Sequence, residues 1–316
     1  MFRYLVRRLL TMIPMLFLIS LVAFFLYSHQ PGDQVYNYLP LDAPKADVER
    51  MRHVLGLDQP WYVQYEVWLS HAVKGDLGRS INDKQPVAQK FAEAIPVTLG
   101  VFGLGFVISF VLSIMIGVTA AVKRYSLFDY VSTIFVYLGQ SMPPFWFALM
   151  LILLFTSNLH LLPVTGLHTP RQDPTLADTA KHLIMPMLVI CWDSMAGWTR
   201  YVRSSMLEVL RLDYIRTARA KGISERVVLY KHALRNSLMP VITFLGFALS
   251  GILGGQALVE QIFSIPGMGR VTLSALFAKD YPVLMAAILL YPLLTMIGIL
   301  LSDILYGIVD PRIRFS

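Results

Sequence analysis

The sequence predicts an all-α membrane protein with six transmembrane helices and both termini in the cytoplasm. Of 316 residues, 56% are hydrophobic and only 15% charged, against about 25% charged in an ordinary globular chain. Mean hydropathy is +0.58. The apolar residues gather in six nearly uncharged runs, and the bases gather in the connections on one side of them. This composition excludes a disordered chain, a disulfide-stapled secreted domain and a typical cytosolic enzyme. A lone cysteine, Cys191, leaves no internal disulfide and no Cys-cluster zinc site.

A helix needs about 20 mostly apolar residues to cross a hydrocarbon core. The runs are Leu9–Tyr27, Ala94–Val122, Tyr130–Thr156, Leu183–Trp198, Leu238–Val259 and Tyr281–Ser302. The first follows Arg3, Arg7 and Arg8, but it is too long for a signal-peptide core and lacks a small-x-small cleavage site. It reads as a retained anchor. The fourth is short and holds one acid, Asp193. None alternates as a membrane strand would.

Lys and Arg favour cytoplasmic loops. With the N terminus inside, the cytoplasmic segments hold sixteen bases and six acids, nine of the bases lying between Arg200 and Arg235. The long outer segment 28–93 holds seven bases and nine acids. The net charge of +7 is therefore an orientation device and a contact with the inner leaflet. It calls for no nucleic-acid partner.

The outer segment divides into loop (Asp33 to Pro44), a short helix at Ala46–Leu55 and a second at Tyr62–Val73 ended by Gly75-Asp76-Leu77-Gly78. Val87–Ala94 reads as helix running into the second span. Residues 1–93 are thus an anchor plus a helical cap, and 94–306 a membrane core. In the third span, Gly139-Gln140-Ser141-Met142-Pro143-Pro144 removes two helix donors and predicts a kink. Such a kink serves packing or lines a pathway. Thr156–His182 is an irregular, proline-rich loop, and Ser264-Ile265-Pro266-Gly267-Met268-Gly269 must turn sharply.

The most informative stretch runs from Thr199 to Pro240. Arg203–Leu212 is helix-forming, and Tyr214–Lys221 is a short helix rich in Arg and Ala. Gly222 supplies a left-handed C-terminal position. Ser224 is placed to cap a further helix leading into the fifth span. The result is a basic, amphipathic helix–turn–helix over 200–236. By its chemistry it suits either a cleft in a soluble partner or an anionic lipid surface.

This stretch resembles the cytoplasmic coupling loop of binding-protein-dependent ABC importer permeases, and within them the dipeptide/oligopeptide/nickel group. The resemblance rests on Thr199-Arg200, Arg203 to Leu210, Asp213 to Gly222 and His232 to Asn236. It extends along the chain through Pro31-Gly32-Asp33, Gly75 to Ser80, Met142-Pro143, Glu260 to Phe263, Pro266 to Gly269, Asp280-Tyr281-Pro282 and Asp310-Pro311-Arg312. The superfamily's Glu-Ala-Ala falls at Arg216-Thr217-Ala218, and the later proline is missing from His232–Arg235. These replacements are that group's own variant.

The resemblance implies a type I importer permease fold in the inner membrane. It implies a second permease subunit, two ATPase subunits carrying ATP and Mg, and an extracytoplasmic solute-binding protein. It places Tyr214, Arg216, Thr217, Ala218, Arg219, Ala220, Lys221 and Gly222 in a groove of an ATPase subunit. The chain has no Gly-x-x-x-x-Gly-Lys-Ser/Thr loop, so ATP must be hydrolysed elsewhere and no catalytic, cofactor-binding or metal-binding residue is expected here.

For the solute path, Gln140, Ser141, Asp193 and Gln256 are the polar candidates. A mid-membrane acid costs about 2.5–3.5 kcal/mol on insertion scales, so Asp193 faces the bundle interior by default. It meets either a solute amine or another helix. Phe263, Ile265, Pro266, Gly267, Met268 and Arg270 are candidates for touching the binding protein, although the turn also serves to reverse the chain. Peptides are the leading solute, and nickel or another small solute is the alternative. A self-sufficient ion-coupled transporter would usually carry internal repeats, and none is seen. An intramembrane enzyme would need a paired catalytic constellation, and the spans hold only Asp193.

Overall fold

The protein is described by a computed structural model covering residues 2–238, 241 and 257–309. Its described residues are helical throughout apart from loops and one antiparallel bridge, Arg79 to Pro86. Helix α1 (Phe2–Ser28) is followed by α2 (Lys45–Val54), α3 (Trp61–Val73), α4 (Val87–Val122), α5 (Leu127–Ser141) and α6 (Pro144–Leu151). Then come α7 (Leu176–Val209), α8 (Asp213–Ala220), α9 (Glu225–Val227) and α10 (Arg235–Ser237), and, past the undescribed residues, α11 (Ala257–Ile262), α12 (Met268–Phe277) and α13 (Tyr281–Val309). Ile152–Asn158 and Val228–Leu234 are π-helical turns.

Helices over Val6–Ser28, Val87–Val122 and Tyr281–Ile304 are long and apolar enough to cross a membrane. The expected third span is not a kinked helix. Its two halves, α5 and α6 with the π turn, meet at 102°. Pro143 and Pro144 remove adjacent backbone donors, and Met142 lies at φ −99°, ψ 114°, outside the helical region, so the chain breaks there. The short fourth run is the middle of α7, a helix of 34 residues that continues to Val209 without interruption. Most of the fifth run, Leu238–Val259, lies outside the described residues (239–240 and 242–256), as does the Asp310-Pro311-Arg312 motif.

The core is the long contact between α4 and α7. Val101, Phe102 and Phe106 of α4 pack with Met185, Val189 and Ile190 of α7. Nearer the α7 C terminus, Val118 and Ala121 meet Val202, Met206 and Val209. The helices close tightly at Gly105 and Gly117, where a Cβ would press on Ile190 and on Thr199 and Val202. Small residues permit this approach between membrane helices. Glycine here acts through size alone.

At the end of the molecule carrying α8, Arg203 grips Asp129 in a two-pronged contact, Nε to Oδ1 at 2.6 Å and Nη2 to Oδ2 at 2.9 Å. The guanidinium holds the Asp129 carboxyl below the usual aspartate range. A carboxyl lowered on folding adds stability above its ordinary pKa and loses it as pH falls through the folded value. Asp129→Asn is therefore expected to cost on the order of 1–3 kcal/mol at neutral pH. In thermal melts the two proteins should converge only in acid, below the ordinary aspartate pKa.

At the opposite end, α3 packs on α1 through buried Tyr65, whose hydroxyl lies 2.8 Å from Ser20 Oγ. Residues 78–86 are tied to the start of α13 by buried Asp280. Its carboxylate accepts the Ser80 hydroxyl, the Ile81 N–H at 3.0 Å and the Asn82 amide at 3.3 Å. The cap is thereby fixed to the core across almost 200 residues of chain.

Candidate coupling site and polar face

The segment after α7 folds as a docked arm. α8 alternates sharply between faces: Ile215 and Ala218 are buried, and the remaining residues from Asp213 to Gly222 are exposed. Ile215 enters a cluster with Val202, Met206 and Val209 of α7 and with Val228 and Ala233 of the returning helix. Tyr214 accepts a 2.8 Å hydrogen bond from the Asn236 amide. So the arm is seated on two helices and presents Arg216, Thr217, Arg219, Ala220 and Lys221 outward.

Gly222 ends α8 at φ +72°, as its place in the sequence predicts. Across this turn Arg219 pairs with Glu225 in two contacts, Nε to Oε2 at 3.1 Å and Nη2 to Oε1 at 2.7 Å. Both side chains are about half exposed, so the pair orients the turn more than it stabilises the protein. The sequence did not reveal this contact, although the i, i+6 spacing across a glycine turn was its signal. Ser224 occupies the N-cap position of α9, but its side chain makes no capping hydrogen bond. The expected helix after it is π-wound from Val228 to Leu234.

Of the solute-path candidates, Gln140 and Ser141 lie exposed at the broken end of α5. Asp193 is exposed on α7. Gln256 lies outside the described residues. Asp193, Gly197, Arg200 and Ser204 follow one another at helical spacing, and all four are exposed. They make a polar stripe down one face of α7. Arg200 joins this stripe to α5 through a 3.3 Å hydrogen bond to Gln140 Oε1. Sequence reasoning treated Arg200 only as part of a motif and as an orienting base.

The turn after α11 is placed differently from expectation. Phe263, Ile265 and Met268 are at most 1% exposed. Phe263 and Ile265 pack against α4 and α7, and Met268 packs with Val87 and Phe91. Gly267 is buried too, so only Pro266 and part of Arg270 reach the surface. The turn faces inward because its apolar residues close the gap between α4 and α13.

Holding it is Glu260, which carried no expected role. Its Oε1 accepts the Thr98 hydroxyl at 2.9 Å and its Oε2 the Arg270 N–H at 2.8 Å, while Thr98 Oγ1 accepts the Met268 N–H at 2.8 Å. The carboxylate thus sits on the N terminus of α12, which favours negative charge. A lone acid closing an uncharged run was the available signal.

Comparison with known proteins agrees with this architecture. The model of the family described as "binding-protein-dependent transport system inner membrane component" matches residues 113–315, and a model of the N-terminal part of such membrane components matches residues 1–102. The chain belongs to this family. Relatives include the oligopeptide transport system permease protein AppB of Bacillus subtilis, 42% identical over 313 residues and 99% of each chain. The dipeptide transport system permease protein DppB of Alkalihalophilus pseudofirmus is 36% identical, with both chains fully covered. Among solved structures, a chain of the inward-facing MetNI methionine ABC transporter aligns with TM-score 0.55 at 18% identity, covering 70% of this chain and 96% of that one. The fold is that of a type I importer permease. As a member of the family the chain is a multi-pass inner-membrane transport component, not itself a catalyst, and membership implies ATPase and binding-protein partners.

Proposed function

We propose that this permease forms one half of the translocation path for di- and oligopeptides delivered by an extracytoplasmic binding protein. The other half is a second permease of the same family. Two ATPase subunits supply ATP and Mg and perform all hydrolysis. Six spans place both termini and the α8 arm in the cytoplasm, in accord with the concentration of bases there.

One observation carries the coupling role: α8 is seated by Ile215 and Ala218 while the rest of its surface stands free. Closure of an ATPase dimer around that surface would push α8 as a unit. Its seat on Val202, Met206 and Val209 would pass the displacement to α7 and so to the bundle, a rigid-body route between two global states. Gln140, Ser141 and Asp193 face the path, and Gln256 keeps that assignment from sequence alone. At the outer surface, Pro266 and Arg270 border a groove of about 310 Å³ with Asn82, Asp83 and Lys90. This groove is the contact for the binding protein.

Affinity purification of the tagged chain from its host membranes is expected to bring down two ATPase subunits and a second permease. Uptake of labelled dialanine should require all of them. Reproducible purification without ATPase subunits would refute the proposal, and uptake of nickel in place of peptides would refute its substrate.

A further inference from the structure

At the end of the molecule that carries the cap, α1, α3 and α13 enclose a half-open cavity of about 240 Å³. Five aromatic residues line it: Phe24 and Tyr27 from the last turns of α1, Tyr38 from the loop that follows, Trp68 from α3 and Tyr281 from the start of α13. Ring centroids lie 5.6 Å apart for Phe24 and Trp68, 5.9 Å for Phe24 and Tyr27, and 5.0 Å for Tyr27 and Tyr281. Four of the five, all but Tyr281, also border a second cavity of about 240 Å³. The rings therefore wall a space of their own and are not simply packed against one another.

The charge at this cavity has one sign. Asp76 is its only acid, and no lysine or arginine lines it. The Asp76 side chain is 62% exposed, which puts it at the mouth. It accepts the Gly78 N–H at 3.0 Å and lies 3.1 Å from His71 Nδ1. These two contacts hold its carboxyl below the usual aspartate range, so it is anionic at neutral pH. Aromatic faces carry negative partial charge, and a cage of them beside one carboxylate is matched to an alkylammonium. Water takes about 30 Å³ per molecule in the liquid, so 240 Å³ has room for roughly eight non-hydrogen atoms. That is the size of a phosphoethanolamine group.

The position names the source of the ammonium. The apolar run of α1 ends at Tyr27 and that of α13 begins at Tyr281, so the cage lies where two spans leave the hydrocarbon, at the level of lipid headgroups. α1 packs on α13 and α3, and Leu18, Val22, Phe25 and Leu26 along its cap-side half are exposed. Acyl chains laid on that apolar face bring a headgroup to the cavity.

We propose that this cage binds the ammonium headgroup of phosphatidylethanolamine. The rings enclose the ammonium, Asp76 neutralises it at the mouth, and the acyl chains lie along α1. A lipid held in this way touches α1, α3 and α13 together and fastens the cap to the membrane core.

The test is native mass spectrometry of the assembled transporter, stripped of lipid and then supplied with phosphatidylethanolamine, with its N-acetyl derivative, which lacks the positive charge, or with phosphatidylglycerol. Wild type should retain one phosphatidylethanolamine about tenfold more strongly than either of the other two. Trp68→Leu and Asp76→Asn should each lower that preference severalfold, and Trp68→Phe, which keeps a ring, should preserve most of it. Asp76→Asn changes an exposed side chain and so keeps the test decisive should Trp68→Leu misfold. Equal retention of the three lipids by wild type would overturn the proposal and leave the rings as an interfacial belt. A preference unchanged in Asp76→Asn, or in a folded Trp68→Leu protein, would overturn it too. Displacement of the lipid by millimolar dialanine would assign the cage to a solute ammonium and overturn the lipid source.

Discussion

Gly222→Val is expected to reduce solute uptake by at least tenfold while leaving capture by the binding protein unchanged. The backbone at this position has φ +72°, and an added Cβ would meet nothing within 4 Å. The penalty is therefore purely conformational. A left-handed residue with a Cβ costs about 1–2 kcal/mol, and a β-branched one is a marked outlier there. The chain can escape by letting the turn relax, and relaxation moves Arg219 away from Glu225. α8 would then sit at a different angle to the returning helix, although its anchors Ile215 and Ala218 remain. Gly222→Ala should show the same defect in weaker form. Uptake into proteoliposomes and solute binding to the free receptor check both halves of the expectation. Wild-type uptake in the valine variant would show that α8 does not transmit force through a fixed turn.

Glu260→Ala is expected to produce the largest loss of stability. The carboxylate is fully buried and accepts from Thr98 and Arg270, so its removal leaves a hydroxyl and a helix N–H without acceptors. Each buried donor left without an acceptor costs about 1–3 kcal/mol, and two are left here. For a domain of 150–250 residues, 1 kcal/mol is worth roughly 2–4 °C, so the melting temperature should fall by on the order of ten degrees. Glu260→Gln keeps one acceptor oxygen and should fall about half as far. Gly267→Ala should resemble Glu260→Ala, because a Cβ there would overlap the Glu260 carboxylate and the Thr98 hydroxyl. Melting in detergent, followed by intrinsic fluorescence, measures all three. An unchanged Glu260→Ala melting temperature would show that the turn is held by its apolar residues alone.

Much of this protein could be read along the chain because the signals are local. Hydrophobic length marks α1, α4 and α13 as span-sized, since bilayer thickness sets a residue count. The Arg/Ala composition of α8 and the glycine after it define the arm and its turn, since a left-handed residue is chosen by its own backbone. Gly139 to Pro144 marks a disturbance of the third span, since proline removes a donor wherever it stands. The tertiary structure decided what depends on partners remote in sequence. It set the 102° break where a kink was expected. It turned Phe263, Ile265 and Met268 inward, because a motif shows which residues recur together but not which side is covered. It gave Glu260, Asp280 and Arg203 their roles, because a charge next to an apolar run reads as a boundary until the groups that hydrogen-bond to it are in place.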